Sequence, residues 1–305
     1  NDAPKGVLMS DLLHTPLHAF HVDHGAKMVP FAGYDMPVQY PAGVMKEHIQ
    51  TRDSAGLFDV SHMGQVIVRG PDYATAALAL EALIPVDVLD LAPNRQRYGF
   101  FTNAQGGITD DLMLANRGDH VFVVVNAACK GADIAHMTAN MPDGVTVIEI
   151  TDRALLALQG PDAEAALAAH VPAVANMAFM DVIIAPSAFG DLWISRSGYS
   201  GEDGYEISVA NDQAAALTRA LLADDHRLLR IALHQDGREN TPQTPFGFEL
   251  VDQHGARVWQ FVTSPAEHFF AQDFGGQEAL AAIGEVVFAV DRRAFRQERL
   301  DRLQQ

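Results

Sequence analysis

The chain has 305 residues, of which 48% are hydrophobic, enough for a large core and about two domains. Its net charge of −18 argues against a nucleic acid as partner. A single cysteine, Cys129, excludes an intrachain disulfide, and the sequence contains no apolar run of about 18 residues, so we expect no transmembrane helix. Without a signal-peptide core near the N-terminus, we expect a cytoplasmic protein.

Histidines are concentrated at the start of the chain, in HTPLHAFHVDHG. His14, His18, His21 and His24 recur near helical spacing, a pattern that could indicate a metal site. Pro16 interrupts the pattern and no second ligand cluster accompanies it. We therefore expect no metal.

A short polar break, FDVSHMGQV, precedes a predicted strand. Its His62 could serve as a base or a ligand, but a hydrogen-bonded loop histidine is the more common arrangement. We expect the latter.

One local pattern recurs: a strand, then Gly-Pro-Asp, then an Ala/Leu-rich helix. Proline suits the first turn of a helix, and aspartate adds favourable negative charge there. The pattern predicts an α+β fold. It recurs either because of an ancient duplication or because Gly-Pro-Asp is common helix-start chemistry. Two copies and a looser third, with Asn211 as its expected N-cap, lie at Gly64 to Leu83, Arg153 to Val171, and Tyr205 to Asp225.

Between these copies the sequence predicts a β-meander. FFTN, ITDDLML and HVFVVVN alternate like strands, and Ala104 to Gly107 form the first turn. After Asp225 the pattern changes to short strand-like segments, LLRIAL, FELVD and ARVWQFVTS, with a turn at His254-Gly255 and a charged helical tail. We place a domain boundary at Asp225.

Two adjacent carboxylates, Asp110 and Asp111, follow the turn of this meander. Because side chains alternate along a strand, one should point inward and the other outward. Burying a carboxylate without a partner costs several kcal/mol, so an inward aspartate here would indicate an active site. The alternative is that both aspartates lie at an exposed strand end and are simply solvated.

The segment GYSGEDGYEIS places Glu206 between Tyr205 and Ile207 in a predicted strand. If these two neighbours face one layer, Glu206 faces the other. A carboxylate can accept two parallel N–H bonds, which suits a flat heterocycle with an amino group beside a ring N–H. The alternative is a solvent-facing strand glutamate.

Six segments, in order, resemble the glycine cleavage system T-protein family of aminomethyltransferases. They cover roughly residues 10 to 224 and are KMVPFAGYDMPVQY, LFDVSHMGQ, FTNAQGGITDDL, VVNAAC, LALQGP and SGYSGEDGYEIS. The resemblance implies a multi-domain, folate-binding α+β fold. It also implies transfer of a methylene carbon from aminomethyl-dihydrolipoyl H-protein to tetrahydrofolate with release of ammonia.

The resemblance also implies roles for individual residues. Asp110 matches the family's catalytic acidic residue, which would stabilise the iminium-like cation left by departing ammonia. Glu206 would hold the pterin ring beside Tyr199, and Met63 and Asn126 would line the pocket. Tetrahydrofolate is the expected co-substrate, and the lipoyl group of the H-protein is the expected partner group.

The C-terminal part departs from the family. An Arg-Asp-Ser-Leu-Arg-type motif, whose first arginine helps to hold folate, is not found after residue 224, although Arg227, Arg230 or Arg238 could substitute. We expect a folate-binding region at residues 1–224 and a divergent, partly β region at 225–305 that retains part of the family's barrel. Two alternatives stay open: a demethylase-type folate enzyme of the same fold, and a folate-binding protein without catalysis.

Overall fold

The computed structural model describes residues 12–223 and, beyond them, the backbone of four strands. The chain divides into two compact units, Asn1–His234 and Gln235–Gln305. No helix in the described part is long and apolar enough to span a membrane.

A six-stranded sheet forms one half of the first unit. Its strands run in the order β10-β11-β12-β9-β3-β13, antiparallel except for the β3–β13 pair. Helices pack on one face and bury an apolar cluster that includes Leu156, Tyr205 and Ile207. The strands are β3 (Gly56–Asp59), β9 (Arg153–Gln159), β10 (Val182–Ser187), β11 (Gly190–Arg196), β12 (Gly204–Ala210) and β13 (Leu229–Arg230). The helices of this half are α1 (His18–Asp23), α5 (Ala163–Ala168), α6 (Ala214–Ala223) and a 3-10 helix, Pro172–Asn176.

A five-stranded antiparallel sheet forms the other half, in the order β5-β6-β7-β4-β8. One face packs on two helices around a cluster that includes Leu80, Leu114 and Met137. The strands are β4 (Gly64–Arg69), β5 (Gln96–Thr102), β6 (Ile108–Asn116), β7 (Val121–Val125) and β8 (Thr146–Ile150), and the helices are α3 (Tyr73–Glu81) and α4 (Lys130–Asn140). The predicted meander is therefore confirmed as β5, β6 and β7.

The two sheets meet through their remaining faces. Val124 of β7 packs with Leu155 and Ala157 of β9 in a smaller apolar cluster, which Met113 and Phe122 extend. The order of layers is thus helix, sheet, sheet, helix, an α+β arrangement as predicted. A hairpin of β1 (Lys27–Phe31) and β2 (Tyr34–Gln39), followed by α2 (Val44–Asp53), completes this part.

The helix-start predictions are partly confirmed. Asp72 caps α3 by accepting a hydrogen bond from the Thr75 amide, at 2.8 Å. The prolines of both Gly-Pro-Asp segments stand before the helix cap rather than in the first turn. The prediction that Asn211 caps α6 is wrong: α6 begins at Ala214, and the Asn211 side chain instead donates to the Thr151 carbonyl.

The second unit contains a three-stranded antiparallel sheet. Its strands are β14 (Phe246–Val251), β15 (Arg257–Thr263) and β16 (Phe270–Ala271). The FELVD and ARVWQFVTS segments are strands, as predicted, whereas the His254-Gly255 turn and the charged tail lie outside the described residues. The domain boundary at Asp225 stays a prediction.

Candidate functional site

A cavity of about 50 Å³ lies between the two sheets of the first unit. Its walls combine apolar side chains of β6 and β7, including Met113 and Phe122, with Trp193 of β11. Glu206 is among the polar groups that face it. A mostly apolar space with a few polar groups has the composition of a small-molecule site, but its volume is well below the roughly 300–1,000 Å³ of a fully formed one.

Glu206 is 6% exposed and faces the cavity, as its position in the strand predicts. Tyr205 and Ile207, its neighbours, are buried on the opposite face among the helices. Burial raises the pKa of Glu206 to about 7, although a hydrogen bond from Ser195 opposes the shift. A carboxylate with so little stabilisation inside the protein can accept further donors from a ligand.

The turn before Glu206 contains two further acidic residues, and both form ion pairs with arginines. Glu202 forms an ion pair with Arg52, with 3.0 Å between Oε1 and Nε. Asp203 pairs with Arg196, which also binds Glu164. These pairs hold the Gly198–Asp203 segment against the sheet and leave Glu206 as the carboxylate of this segment that faces the cavity.

Tyr199 projects from the same turn. Solvent reaches 57% of its surface, yet the protein around its hydroxyl raises its pKa well above the ordinary value, and the nearby Glu206 charge adds to this shift. The Glu206 charge therefore reaches Tyr199, and the role expected for Tyr199 at the site stays a prediction.

A second polar group, the acidic cluster, consists of Asp110, Asp111 and Asn126 of the half with the five-stranded sheet. The Asn126 amide donates to Oδ1 of both Asp110 and Asp111, at 3.2 and 2.8 Å. Asn126 follows β7, whereas the two aspartates lie near the start of β6. Three of the residues singled out in the sequence thus form one hydrogen-bonded group.

The two aspartates face opposite sides of β6, as strand alternation predicts. Asp111 shares the face of Met113 and Ala115, which line the cavity. Asp110 shares the face of Leu112 and Leu114, which pack beneath the helices. The side directed toward the space between the sheets is that of Asp111, so the catalytic role expected for Asp110 stays a prediction.

The protein environment disfavours ionisation of Asp111. Burial raises its pKa, and the Asp110 charge adds to the shift, while hydrogen bonds from Asn126 and Tyr98 oppose it. The Tyr98 phenol correspondingly has its pKa raised to about 12, by burial and by the Asp111 charge. Sequence reasoning did not identify Tyr98, although its place on β5 opposite Met113 puts it on the same face.

Asp133, in the first turn of α4, is a second residue that sequence reasoning missed. It is 6% exposed and within hydrogen-bond reach of Asp110. Cys129 also lies beside Asp110, and burial together with the Asp110 charge raises the thiol pKa to about 11. The Asp133 and Cys129 side chains both meet Asp110 from α4 and its N-terminus.

Met63 packs in the apolar cluster between the sheets, in the same layer as the cavity. Its neighbour His62 is 3% exposed, and burial lowers the His62 pKa to about 4. The prediction of a fully hydrogen-bonded loop histidine is wrong in one respect. Its Nδ1 has no partner among the described residues, whereas its carbonyl accepts a bond from Lys130.

The N-terminal histidines separate into different environments. His21 is buried and bonds Tyr40 and Asp59, at 2.7 and 2.9 Å. His14 and His18 lie near Asp35, but their rings stack 3.6 Å apart with 4° between the planes. Parallel rings cannot both direct an in-plane lone pair at one ion, so this arrangement is not a formed metal site. The absence of a metal stays a prediction.

Of the five residues expected at the site, Glu206 lines the cavity itself. Asp110 and Asn126 belong to the acidic cluster on the neighbouring sheet, Tyr199 adjoins Glu206, and Met63 packs between the sheets.

Comparison with known proteins gives the family of this chain. The GCVT N-terminal domain family matches residues 17–232. The chain is 40% identical over 238 residues to the mitochondrial aminomethyltransferase of Dictyostelium discoideum, covering 75% of this chain and 58% of that protein. It is 41% identical over 217 residues to the aminomethyltransferase of Deinococcus deserti, covering 70% and 59%.

The fold comparison gives the same family. The crystal structure of glycine cleavage system aminomethyltransferase T from Bartonella henselae matches with a TM-score of 0.66 and 31% identity, covering 84% of this chain and 87% of that one. The chain spans somewhat more than half the length of the Dictyostelium and Deinococcus relatives. The match over residues 17–232 shows that this chain belongs to the GCVT N-terminal domain family.

Proposed function

We propose that this protein is a tetrahydrofolate-dependent aminomethyltransferase of the glycine cleavage system. It would transfer the methylene carbon from aminomethyl-dihydrolipoyl H-protein to tetrahydrofolate and release ammonia. The observation that carries the proposal is the buried Glu206 carboxylate, which faces a cavity between two sheets in a chain of this family.

The hydrogen-bonding capacity of Glu206 suits a reduced pterin. Its amino group and adjacent ring N–H form a parallel donor pair, which one carboxylate can accept. Glu206 has a single described side-chain hydrogen-bond donor, Ser195, and therefore keeps acceptor capacity for this pair. Tyr199, beside Glu206, would cover the ring, and the apolar walls around Met113 would exclude water.

The acidic cluster would supply the electrostatic part of the reaction. Positive charge develops on the one-carbon unit as ammonia departs, and a fixed carboxylate in a site with little water stabilises such charge. Asn126 orients both aspartates through its amide. We propose that the pair acts together, with Asp111 on the side of the cavity and Asp110 behind it.

Lipoylated H-protein is the proposed partner, and tetrahydrofolate is the proposed co-substrate. Cytoplasmic location remains our proposal for the compartment, although the Dictyostelium relative carries a mitochondrial name.

One observation favours a second candidate, a folate-binding protein without catalysis. The family match ends at residue 232, and the family's arginine motif is not found in the sequence after residue 224. Of the three arginines that could replace it, Arg230 lies in β13, whereas Arg227 and Arg238 lie outside the described residues. A demethylase-type enzyme has no such observation in its favour.

The test is turnover of the purified chain with aminomethylated H-protein and tetrahydrofolate. Both ammonia and methylene-tetrahydrofolate should accumulate, and Glu206→Gln should slow both. Calorimetric titration of tetrahydrofolate separates the candidates: binding without turnover indicates the non-catalytic protein. If the chain shows neither binding nor turnover, the proposal is overturned.

A further inference from the structure

The carboxyl groups of Asp110 and Asp133 meet beside the Cys129 thiol, which lies within hydrogen-bond reach of Asp110. Each has an Oδ2 atom that is buried and has no hydrogen-bond partner among the described residues. The two groups belong to different elements, β6 and α4, and lie within hydrogen-bond reach of each other. Two ionised carboxylates in this arrangement repel each other, and a proton between them removes the repulsion.

Within residues 12–223, the neighbouring basic side chain does not replace this proton. Lys130, the basic residue next to Cys129, directs its Nζ to the Tyr34 hydroxyl and the His62 carbonyl, at 2.7 and 3.0 Å. The donor that Asn126 offers goes to Oδ1 of Asp110, not to Oδ2. Burial raises the pKa of Asp133, and the hydrogen bond and charge of Asp110 add to this shift, as does the Asp111 charge.

We propose that Asp133 is a positioning residue of the acidic cluster: it holds a proton and donates it to Oδ2 of Asp110. This inference rests on the proposed function. The donated bond holds Asp110 against α4 while Asn126 holds its other oxygen. It also removes one negative charge from three neighbouring carboxyl groups and leaves the remaining charge near Asp111, which shares the face of β6 that carries the cavity-lining Met113.

Substitutions of Asp133 distinguish a role as proton donor from a role in packing alone. Asp133→Asn keeps the shape and carries a permanent N–H donor, so it imitates the protonated residue at every pH. Asp133→Ala removes the donor. Asp143, an exposed loop aspartate, provides the matched control Asp143→Asn.

The first measurement is the pH profile of aminomethyl transfer. In the wild type, kcat should fall as rising pH removes the shared proton, whereas Asp133→Asn should keep kcat within about 3-fold and lose this alkaline decline. Asp133→Ala should lower kcat roughly 10-fold or more, with little change in KM for tetrahydrofolate. An alkaline decline that persists in Asp133→Asn would overturn the proposal.

The second measurement does not depend on turnover. Infrared spectra at neutral pH should show the C=O band of a protonated carboxyl group, which Asp133→Asn removes and Asp143→Asn retains. Glu206 contributes a band of its own near neutral pH, so the spectra are recorded in the Glu206→Gln background. If the chain has no turnover, the proposed function fails while this band still decides whether the proton is present. A band that is absent, or that survives Asp133→Asn, overturns the inference.

Discussion

Ser195 and Glu206 stand directly opposite each other on β11 and β12, and the serine hydroxyl donates a hydrogen bond to the carboxylate. This single bond does not compensate for burial, because the pKa of Glu206 is raised to about 7 from an ordinary value of 4.5. The protein without ligand therefore holds its key carboxylate in an unfavourable environment. Such a residue affects both the pH dependence of stability and the pH dependence of ligand binding.

The first prediction concerns stability. Between pH 4.5 and about 7 the unfolded chain has released the Glu206 proton while the folded chain retains it, so the free energy of unfolding falls as pH rises. The total loss from this residue is about 3 kcal/mol and is complete above pH 7. Glu206→Gln should remove this part of the slope, as measured by urea unfolding at a series of pH values.

The matched control is Glu149→Gln, since Glu149 is an exposed glutamate in strand β8. Its substitution should leave the slope unchanged. The assignment is contradicted if the two variants have the same pH dependence.

The second prediction concerns folate affinity. A pterin N–H pair binds the ionised carboxylate, so the affinity of the wild type should weaken about 10-fold for each pH unit below the Glu206 pKa. Glu206→Gln should bind tetrahydrofolate roughly 10- to 150-fold more weakly at pH 8 and lack this pH dependence. Calorimetric titration at pH 6 and pH 8 measures both. Equal affinities of wild type and variant at pH 8 would show that the pterin does not contact Glu206.

The strand periodicity of two was sufficient to predict several orientations. It placed Glu206 opposite the buried Tyr205 and Ile207, and it placed Asp110 and Asp111 on opposite faces. It could not show which aspartate faces the cavity, because that depends on the side from which the second sheet packs.

Contacts between different helices and strands could not be predicted either, because they also depend on how the elements pack. Asp133 meets Asp110 only because the first turn of α4 packs next to β6, and no local pattern encodes that contact. The error at Asn211 is local: an N-cap there would start the helix at Asp212, whereas α6 begins two residues later, at Ala214.

The third prediction concerns the two Gly-Pro-Asp segments, which are alike in sequence but not in structure. Gly160 has φ +129°, and a Cβ there would lie 2.4 Å from the Ser54 carbonyl oxygen. The nearest atoms to a Cβ on Gly70 are 3.2 Å away. Gly160→Ala should therefore lower the free energy of unfolding by about 3 kcal/mol or more, and Gly70→Ala by about 1 kcal/mol. Denaturant unfolding measures both, and equal losses would contradict this difference.

The fourth prediction concerns the ion pairs behind the Glu206 turn. Arg196 is 16% exposed in its side chain and contacts Asp203, Glu164 and the Met177 carbonyl. Arg196→Met leaves these acceptors without their donor and should cost about 2–3 kcal/mol of stability. Arg69→Met removes an ion pair with Asp119 in which both side chains are 46% or more exposed, and should cost under about 1 kcal/mol. A chemical unfolding series in which both variants lose the same amount would count against a structural role for Arg196.

The fifth prediction compares the two aspartates of β6. Asp111 shares its face with the cavity-lining Met113, whereas Asp110 faces α4 and Asp133. If the proposed aminomethyl transfer is correct, Asp111→Asn should lower its kcat by about 10²–10³, because the substitution removes charge from the side on which positive charge would develop. Asp110→Asn should lower kcat less, since it acts through the position of its neighbours. Both variants keep the shape of the side chain and should keep tetrahydrofolate affinity within a few-fold, which calorimetry checks. If Asp110→Asn proves the more severe, the reacting carbon approaches from the α4 side of the sheet, and the role that the family resemblance implies for Asp110 holds.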